Sequence, residues 1–299
     1  MSKQLRAGLI LTLTALIWGA AFVAQSVGMN YVGPFTYLFS RSVIGGIVLL
    51  PIIKFMNKRE NTASQPKDNK VLLIGGICCG IALFAGSILQ QIGIKYTTVG
   101  KAGFITSLYM IIVPIISIFI GKKASKKVWI SVAIAIIGMY FLCMNGEKEI
   151  NSGDIFVLLC AFAFSIHILI IDYFSPKVNG VKLSCIQFWI CAAIAFFPMM
   201  IFEKPEMSKI IAAWAPILYA GLLSSGVGYT LQIIAQKDID PTIASLICSL
   251  ESVFSVLFGW LILKEILSGK ELLGCALVFI GVILTQIPEH KKQELIDKG

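Results

Sequence analysis

Long apolar runs, separated by short polar stretches, recur along this sequence from one end to the other. A helix that crosses a bilayer needs about 20 mainly apolar residues, and ten segments of that kind can be counted. They cover residues 7–27, 35–54, 71–94, 100–120, 128–144, 154–172, 182–202, 211–234, 241–263 and 270–287. Inside hydrocarbon, a continuous helix satisfies the backbone hydrogen bonds of such a segment. We therefore predict an all-α integral membrane protein with ten transmembrane helices.

Composition and charge support a membrane protein and indicate its orientation. Hydrophobic residues make up 57% of the chain and charged residues 14%, whereas soluble domains average about 45–50% and 25%. Ten spans place both termini on one side. If that side is the cytoplasm, seventeen Lys and Arg residues lie inside, seven lie outside and Arg41 lies within a span. This bias follows the positive-inside rule, so we expect cytoplasmic termini in the plasma membrane. The net charge of +9 is then an orientation signal, and we expect no nucleic-acid partner.

The sequence carries no pattern typical of a metal or nucleotide site. Its eight cysteines lie in apolar stretches without a C-x-x-C pair, and its only histidines are His167 and His290. A zinc site needs four clustered ligands or three with an open position, and a nucleotide-driven pump needs a G-x-x-x-x-G-K-[ST] loop. We therefore expect no metal and no cofactor.

An internal repeat relates the two halves of the chain. Shifted by 142 residues, LQQIGIKYTTVGKAGFITSL (89–108) and LQIIAQKDIDPTIASLICSL (231–250) are identical at eight of twenty positions. Matches of Leu and Ile are common in an apolar chain. The more informative matches at this offset are Gln90 with Gln232, Lys95 with Lys237, and Gly86 with Gly228.

The repeat predicts two units of five helices each. We place the first in residues 1–144, a linker at 145–153 and the second in residues 154–299, which includes a cytoplasmic tail. Because five is odd, the second unit enters the membrane from the opposite side. Many secondary transporters are built from inverted repeats of this kind and bind their substrate near the bilayer midplane, between the repeats.

Four segments carry a recognisable family pattern: LIWGAAFVAQS (16–26), LQQIGIKYTTVGKAGFITSLYMIIVP (89–114), GDIFVLLCAFAFSIHILIIDYFS (153–175) and residues 224–284. Taken in this order and at this spacing, they resemble the EamA-type transporters of the drug/metabolite transporter superfamily, which have two five-helix repeats. The resemblance implies transport, mostly outward and without ATP, of small polar metabolites such as amino acids, or of amphipathic drugs.

Glu251 lies near the middle of the predicted span 241–263. Ionisable residues at that depth are costly and usually face a polar cavity or a partner. Burial favours the protonated form of a carboxyl group. Glu251 can therefore carry a proton, bind a cationic group, or be a neutral structural residue hydrogen-bonded between helices. Tyr109 is its counterpart in the first repeat, and by symmetry we expect it to face the same cavity.

Other polar and aromatic residues inside the predicted spans are further candidates for substrate binding or coupling. Arg41 can bind a carboxylate bidentately or pair with Glu251, but a structural role is favoured, in which the side chain extends towards the outer face or bonds helix-end carbonyls. His167 can titrate near neutral pH or be a satisfied donor between helices. Amides can bind a ligand or hold helices together, and this applies to Gln90 and Gln232. Weaker candidates are Trp18, Gln25 and Tyr229.

The function we expect is secondary active transport by alternating access around a midplane cavity. The expected partners are a small-molecule substrate and the lipid bilayer, with coupling to a proton or ion left open, and the protein is a monomer or a homodimer. A passive channel or facilitator and a membrane scaffold without transport activity are the alternatives. An enzyme is disfavoured, because no clustered nucleophile and base can be found.

Cysteines placed at residues 62 and 291 test the predicted orientation. Both positions lie in polar stretches that the predicted topology assigns to the cytoplasm. We expect a membrane-impermeant maleimide to label the Thr62→Cys and Lys291→Cys variants only after the membrane is opened, with the unsubstituted protein as control. Labelling of either variant in intact cells would contradict this topology.

Overall fold

The structure is a computed structural model and describes residues 2–59, 69–122, 124–143, 151–264 and 268–287. Within these ranges all regular secondary structure is helical. The helices are α1 (Lys3–Gly28), α2 (Pro34–Arg59), α3 (Asn69–Ile94), α4 (Val99–Phe119), α5 (Lys126–Cys143), α6 (Ser152–Phe174), α7 (Gly180–Glu203), α8 (Trp214–Gln236), α9 (Pro241–Leu263) and α10 (Gly269–Gln286). A short helix, Met207–Ala212, precedes α8.

Eight helices are long and apolar enough to cross a bilayer, namely α1 to α4 and α6 to α9. Large apolar side chains are exposed on the outside of the bundle, including Phe119 and Phe202. An apolar exterior suits lipid rather than water, so the chain is an integral membrane protein.

The two remaining predicted spans, 128–144 and 270–287, coincide with α5 and α10. These helices have 18 residues each, and each lies close to residues outside the described ranges. In α10 the apolar part is Leu272–Gln286. The two helices pack chiefly against each other. The structure therefore supports eight of the ten predicted crossings by length and composition, and the last two stay a prediction.

Both α4 and α9 are interrupted near their middle. Their regular segments are Val99–Ser107 and Tyr109–Phe119 in α4, and Pro241–Cys248 and Leu250–Leu263 in α9. Tyr109 and Glu251 lie immediately beyond these breaks. Irregular backbone at membrane depth is tolerated where it is buried in protein or lines a cavity. The breaks therefore fall where the repeat predicts a cavity.

Serine hydroxyls in α9 are satisfied within the helix. Each donates a hydrogen bond of 2.7–2.8 Å to the carbonyl three residues earlier, in the series Ser245, Ser249, Ser252 and Ser255. Such bonds remove the penalty of burying a hydroxyl away from water. They let the helix carry four buried serines beside Glu251.

Small residues let α3 pack tightly between α6 and α7. Gly80 is the clearest example, because a Cβ atom there would lie 2.6 Å from Cβ of Ile190 and 2.9 Å from the carbonyl oxygen of Gln187. Close approach at small residues is a general device for joining membrane helices, where burial of apolar surface from water gives no driving force.

Ion pairs join α4 and α6 at both ends. Lys101 near the start of α4 pairs with Asp154 near the start of α6, at 2.6 Å. Lys122, just beyond the end of α4, pairs with Asp172 near the end of α6. Since start meets start and end meets end, the two helices run parallel. This is the direction that the predicted alternation of spans requires for these two helices.

A carboxylate from α7 caps the start of α2. Glu203 accepts hydrogen bonds from the backbone N–H groups of Phe35 (2.9 Å) and Thr36 (2.7 Å) and from the Thr36 hydroxyl (2.6 Å). A carboxylate at this place satisfies free N–H groups of the first turn and complements the helix dipole. The cap joins an end of α7 to an end of α2 and so fixes the helix that carries Arg41.

Candidate functional site

All nine candidate residues from the sequence line one cavity inside the helix bundle. They are Trp18, Gln25, Arg41, Gln90, Tyr109, His167, Tyr229, Gln232 and Glu251. The remaining lining residues are Ala21, Phe22, Phe164, Ile168 and Ser224. The lining comes from α1, α2, α3, α4, α6, α8 and α9. The structure thus brings together every residue that was selected, while the binding or coupling role of each stays a prediction.

Glu251 and Tyr109 form the acidic part of the cavity. The Tyr109 hydroxyl donates a hydrogen bond of 2.9 Å to Oε1 of Glu251. Both side chains are buried, with 4% and 2% of their surface exposed. The repeat relates these two positions, and the structure places them in direct contact. Tyr109 therefore serves Glu251 as a hydrogen-bond donor inside the membrane.

Arg41 forms the basic part of the cavity. Its Nε donates to the Ser225 hydroxyl at 3.3 Å, and its Nη1 lies 3.5 Å from Oε1 of Gln25. Only 3% of the residue is exposed, so the guanidinium stays in the protein interior. The favoured structural role of Arg41 stays a prediction, as does binding of a carboxylate.

Arg41 and Glu251 do not form an ion pair with each other. Within the described ranges, the ion pairs are Lys101–Asp154, Lys122–Asp172 and Lys209–Glu206. Arg41 and Glu251 line the same cavity but are held by neutral side chains on separate helices. The cavity therefore presents a cationic group and an acidic group at different places on its wall.

Aromatic rings form the wall around Tyr229. The ring centroid of Tyr229 lies 4.7 Å from that of Trp18, and 5.9 Å from those of His167 and Phe188. His167 is hydrogen-bonded through Nε2 to Oε1 of Gln187 at 3.0 Å. The imidazole thus joins α6 to α7 through Nε2, and the choice between its titrating and structural roles stays a prediction.

The two repeat-related glutamines differ in their surroundings. Nε2 of Gln90 donates to the Thr106 hydroxyl at 3.2 Å and joins α3 to α4. Gln232 also lines the cavity and is 2% exposed. Its Oε1 has no hydrogen-bond partner among the described residues.

A π-helix shapes the α8 side of the site. Residues Tyr219–Tyr229 form 11 residues of π-helix within α8, an unusual length, since π-helix occurs mostly as single turns and often at functional sites. This segment provides Ser224 and Ser225. The Trp18 ring N–H donates to the Ser224 carbonyl at 3.4 Å, and Ser225 holds Arg41.

Ser224, Ser225 and Phe164 were missed by the sequence analysis. The available signal was the glycine-rich run YAGLLSSGVGY, which places small polar residues in the middle of a span. A buried serine more commonly bonds its own helix, so the run does not identify Ser225 as the partner of Arg41.

The cavity is small. The space that a water-sized body can occupy is about 30 Å³, whereas pockets for small organic molecules usually measure about 300–1,000 Å³. A metabolite would fit only after the surrounding helices move apart.

A bundle of membrane-spanning helices around a buried, charged cavity defines the class of membrane transport proteins. This chain belongs to the EamA-like transporter family, whose model matches residues 5–144 and 151–287. It is accordingly a transporter of the drug/metabolite transporter superfamily.

Three relatives that are named as transporters or exporters match this chain over nearly its whole length. An uncharacterized transporter of Archaeoglobus fulgidus is 32% identical over 95% of this chain and 87% of that protein. The uncharacterized transporter YetK of Bacillus subtilis is 24% identical over 98% of this chain and 90% of that protein. A probable terminal-alkyne amino-acid exporter of Streptantibioticus cattleyicolor is 24% identical over 92% of this chain and 91% of that protein.

The fold matches a solved structure. A crystal structure superposes with a TM-score of 0.75 at 19% identity, covering 94% of this chain and 96% of the other. At that identity the likeness concerns the fold alone.

Removing the Tyr109 hydroxyl tests the acidic part of the site. In the Tyr109→Phe variant, Glu251 loses its donor in a dry environment, which should lower the free energy of unfolding by about 1–3 kcal/mol. A double-mutant cycle with Glu251→Leu should show a coupling of about 0.5–3 kcal/mol, measured by thermal unfolding in detergent. Tyr140→Phe, at an exposed tyrosine, is the control. Strictly additive effects would show that the contact contributes nothing.

Proposed function

We propose that this chain is a secondary active transporter that exports zwitterionic metabolites, amino acids or related amphipathic compounds, by alternating access around the described cavity. The observation that carries the proposal is that Arg41 and Glu251 are both buried in the wall of one cavity without forming an ion pair with each other. A substrate with a carboxylate and an ammonium group complements both.

Electrostatics support this choice of substrate class. An ionisable group at membrane depth is costly unless it is paired or faces a polar cavity. Arginine presents a fork of N–H donors that fits a carboxylate bidentately, and a carboxyl group can accept hydrogen bonds from an ammonium group. The aromatic wall formed by Trp18 and Tyr229 offers apolar surface and ring faces, which also attract cations. Together these groups match an amino acid better than a purely anionic or cationic compound.

The predicted topology belongs to the same proposal. Ten crossings, in two inverted units at 1–144 and 154–299 with cytoplasmic termini, provide two opposed halves around the cavity. Two separate family matches, 5–144 and 151–287, support the division. The mid-helix breaks in α4 and α9 occur close to equivalent positions of the repeat and add further support.

Alternating access accounts for the small cavity. Substrate binding requires the bundle to open beyond about 30 Å³, and inverted repeats allow this by rocking one half on the other. Outward transport is supported by the relative named a probable terminal-alkyne amino-acid exporter. A passive channel is the alternative that transport kinetics must exclude.

Counterflow into proteoliposomes tests the substrate class. With threonine as the probe, we expect saturable uptake that is stimulated by threonine on the opposite side. The decarboxylated analogue 1-aminopropan-2-ol and the deaminated analogue 3-hydroxybutanoate should compete at least about tenfold more weakly, since each loses a charge-assisted hydrogen bond.

Two variants test, in the same assay, whether Arg41 binds the carboxylate of threonine and Glu251 its ammonium group. In Arg41→Met, threonine should lose part of its competitive advantage over the amine, 1-aminopropan-2-ol. In Glu251→Gln, threonine should lose part of its competitive advantage over the acid, 3-hydroxybutanoate. Flux that is linear in concentration and shows no counterflow would identify a pore. Equal competition by all three compounds in the wild type would exclude zwitterion recognition.

The pH dependence of transport tests whether Glu251 carries a proton. If its carboxyl group binds and releases a proton in each cycle, the wild-type rate should change with pH, whereas Glu251→Gln cannot titrate and should give a flat profile. Folding of the variant is verified by its thermal transition. A Glu251→Gln profile that follows the wild type would remove Glu251 as the coupling residue.

A further inference from the structure

Gln90 and Gln232 occupy equivalent positions of the repeat and line the same cavity, yet only one of them is paired. Gln90 donates to Thr106 at 3.2 Å. The side-chain amide of Gln232 forms no hydrogen bond with any described residue, and its Oε1 is fully buried. The equivalence of the two positions makes this difference informative.

The sequence explains why Gln232 is unpaired. At the offset of 142 residues, the position equivalent to Thr106 is Cys248. A thiol is a weak hydrogen-bonding group, whereas a hydroxyl is a good donor and acceptor. The second repeat therefore lacks the partner that anchors the glutamine in the first. Gln232 lines the cavity, and its Oε1 has no hydrogen-bond partner among the described residues.

An unpaired buried amide needs a physical explanation, because the great majority of buried polar groups in proteins are hydrogen-bonded. Helix joining does not provide it here. One helical turn further along α8, Gln236 does join helices, since its Nε2 donates to the Ile168 carbonyl at 3.1 Å, although its Oε1, like that of Gln232, has no partner among the described residues. Gln232 lies on the same helix, faces the cavity and has no such contact. A group that enters the cavity can supply the missing hydrogen bond.

We infer that Gln232 is a specificity-determining residue that hydrogen-bonds a hydroxyl or amide on the side chain of the transported amino acid. The inference rests on the proposed function, in which Arg41 and Glu251 bind the carboxylate and ammonium groups. Gln232 adds a third polar contact. Its amide both donates and accepts, so it fits a neutral polar group. Amino acids with apolar side chains would leave the amide unpaired and would be transported poorly.

Threonine and valine test this inference because they have nearly the same shape and differ by one hydroxyl. In proteoliposomes the wild type should transport threonine with a kcat/KM about 10- to 100-fold above that of valine, the range expected when a buried polar group is left unpaired. In Gln232→Leu this ratio should fall to about one, mainly through improved valine transport. Gln236→Leu, the same change outside the cavity lining, should keep the wild-type ratio.

Thermal unfolding provides a readout that is independent of substrate. Gln232→Leu removes no hydrogen bond within the described protein, so its Tm should equal or exceed that of the wild type. Gln90→Leu breaks the bond to Thr106 and should lower Tm by about 2–4 °C. A clear loss of Tm in Gln232→Leu would assign the residue a structural role and overturn the inference.

The transport outcomes distinguish a wrong role for Gln232 from a wrong proposed function. If the wild type transports threonine and Gln232→Leu leaves the threonine-to-valine ratio unchanged, the role of Gln232 is wrong and the proposed function stands. If the wild type transports neither amino acid nor any other zwitterion in counterflow, the proposed function fails and the inference fails with it.

Discussion

Polar groups buried in a membrane bundle must find their partners inside the protein, and the rest of this structure depends on that constraint. The serines of α9 bond their own helix, and Glu203 caps α2. The buried Asp154 meets Lys101. The cavity differs from these contacts. It contains a guanidinium and a carboxyl group that do not pair with each other, and an amide without a partner.

The cavity residues could be selected from the sequence because polarity is rare inside an apolar span. Glu251, Arg41 and His167 are conspicuous for that reason, and the repeat adds Tyr109 as the counterpart of Glu251. The direct contact between Tyr109 and Glu251 shows why the internal repeat in the sequence is useful: it related two residues that line the same cavity. Periodicity and composition alone would not have joined residues 142 positions apart.

Other features could not be predicted, for physical reasons. A π-helix differs from an α-helix only in its hydrogen-bond register, and the run YAGLLSSGVGY is compatible with both. The role of Ser225 follows from that register and was missed. The pairing of a buried amide depends on tertiary contacts, so Gln90 and Gln232 look alike in sequence.

The ion pairs at both ends of α4 and α6 make one side of the molecule stiffer than the other. Tilting these two helices against each other would separate the charges of Lys101 and Asp154 or those of Lys122 and Asp172. The repeat-equivalent interface, between α9 and α1, has Ile243, Thr12, Lys264 and Asn30 at the corresponding positions and no ion pair among its described residues. The two interfaces therefore differ in their electrostatic resistance to separation.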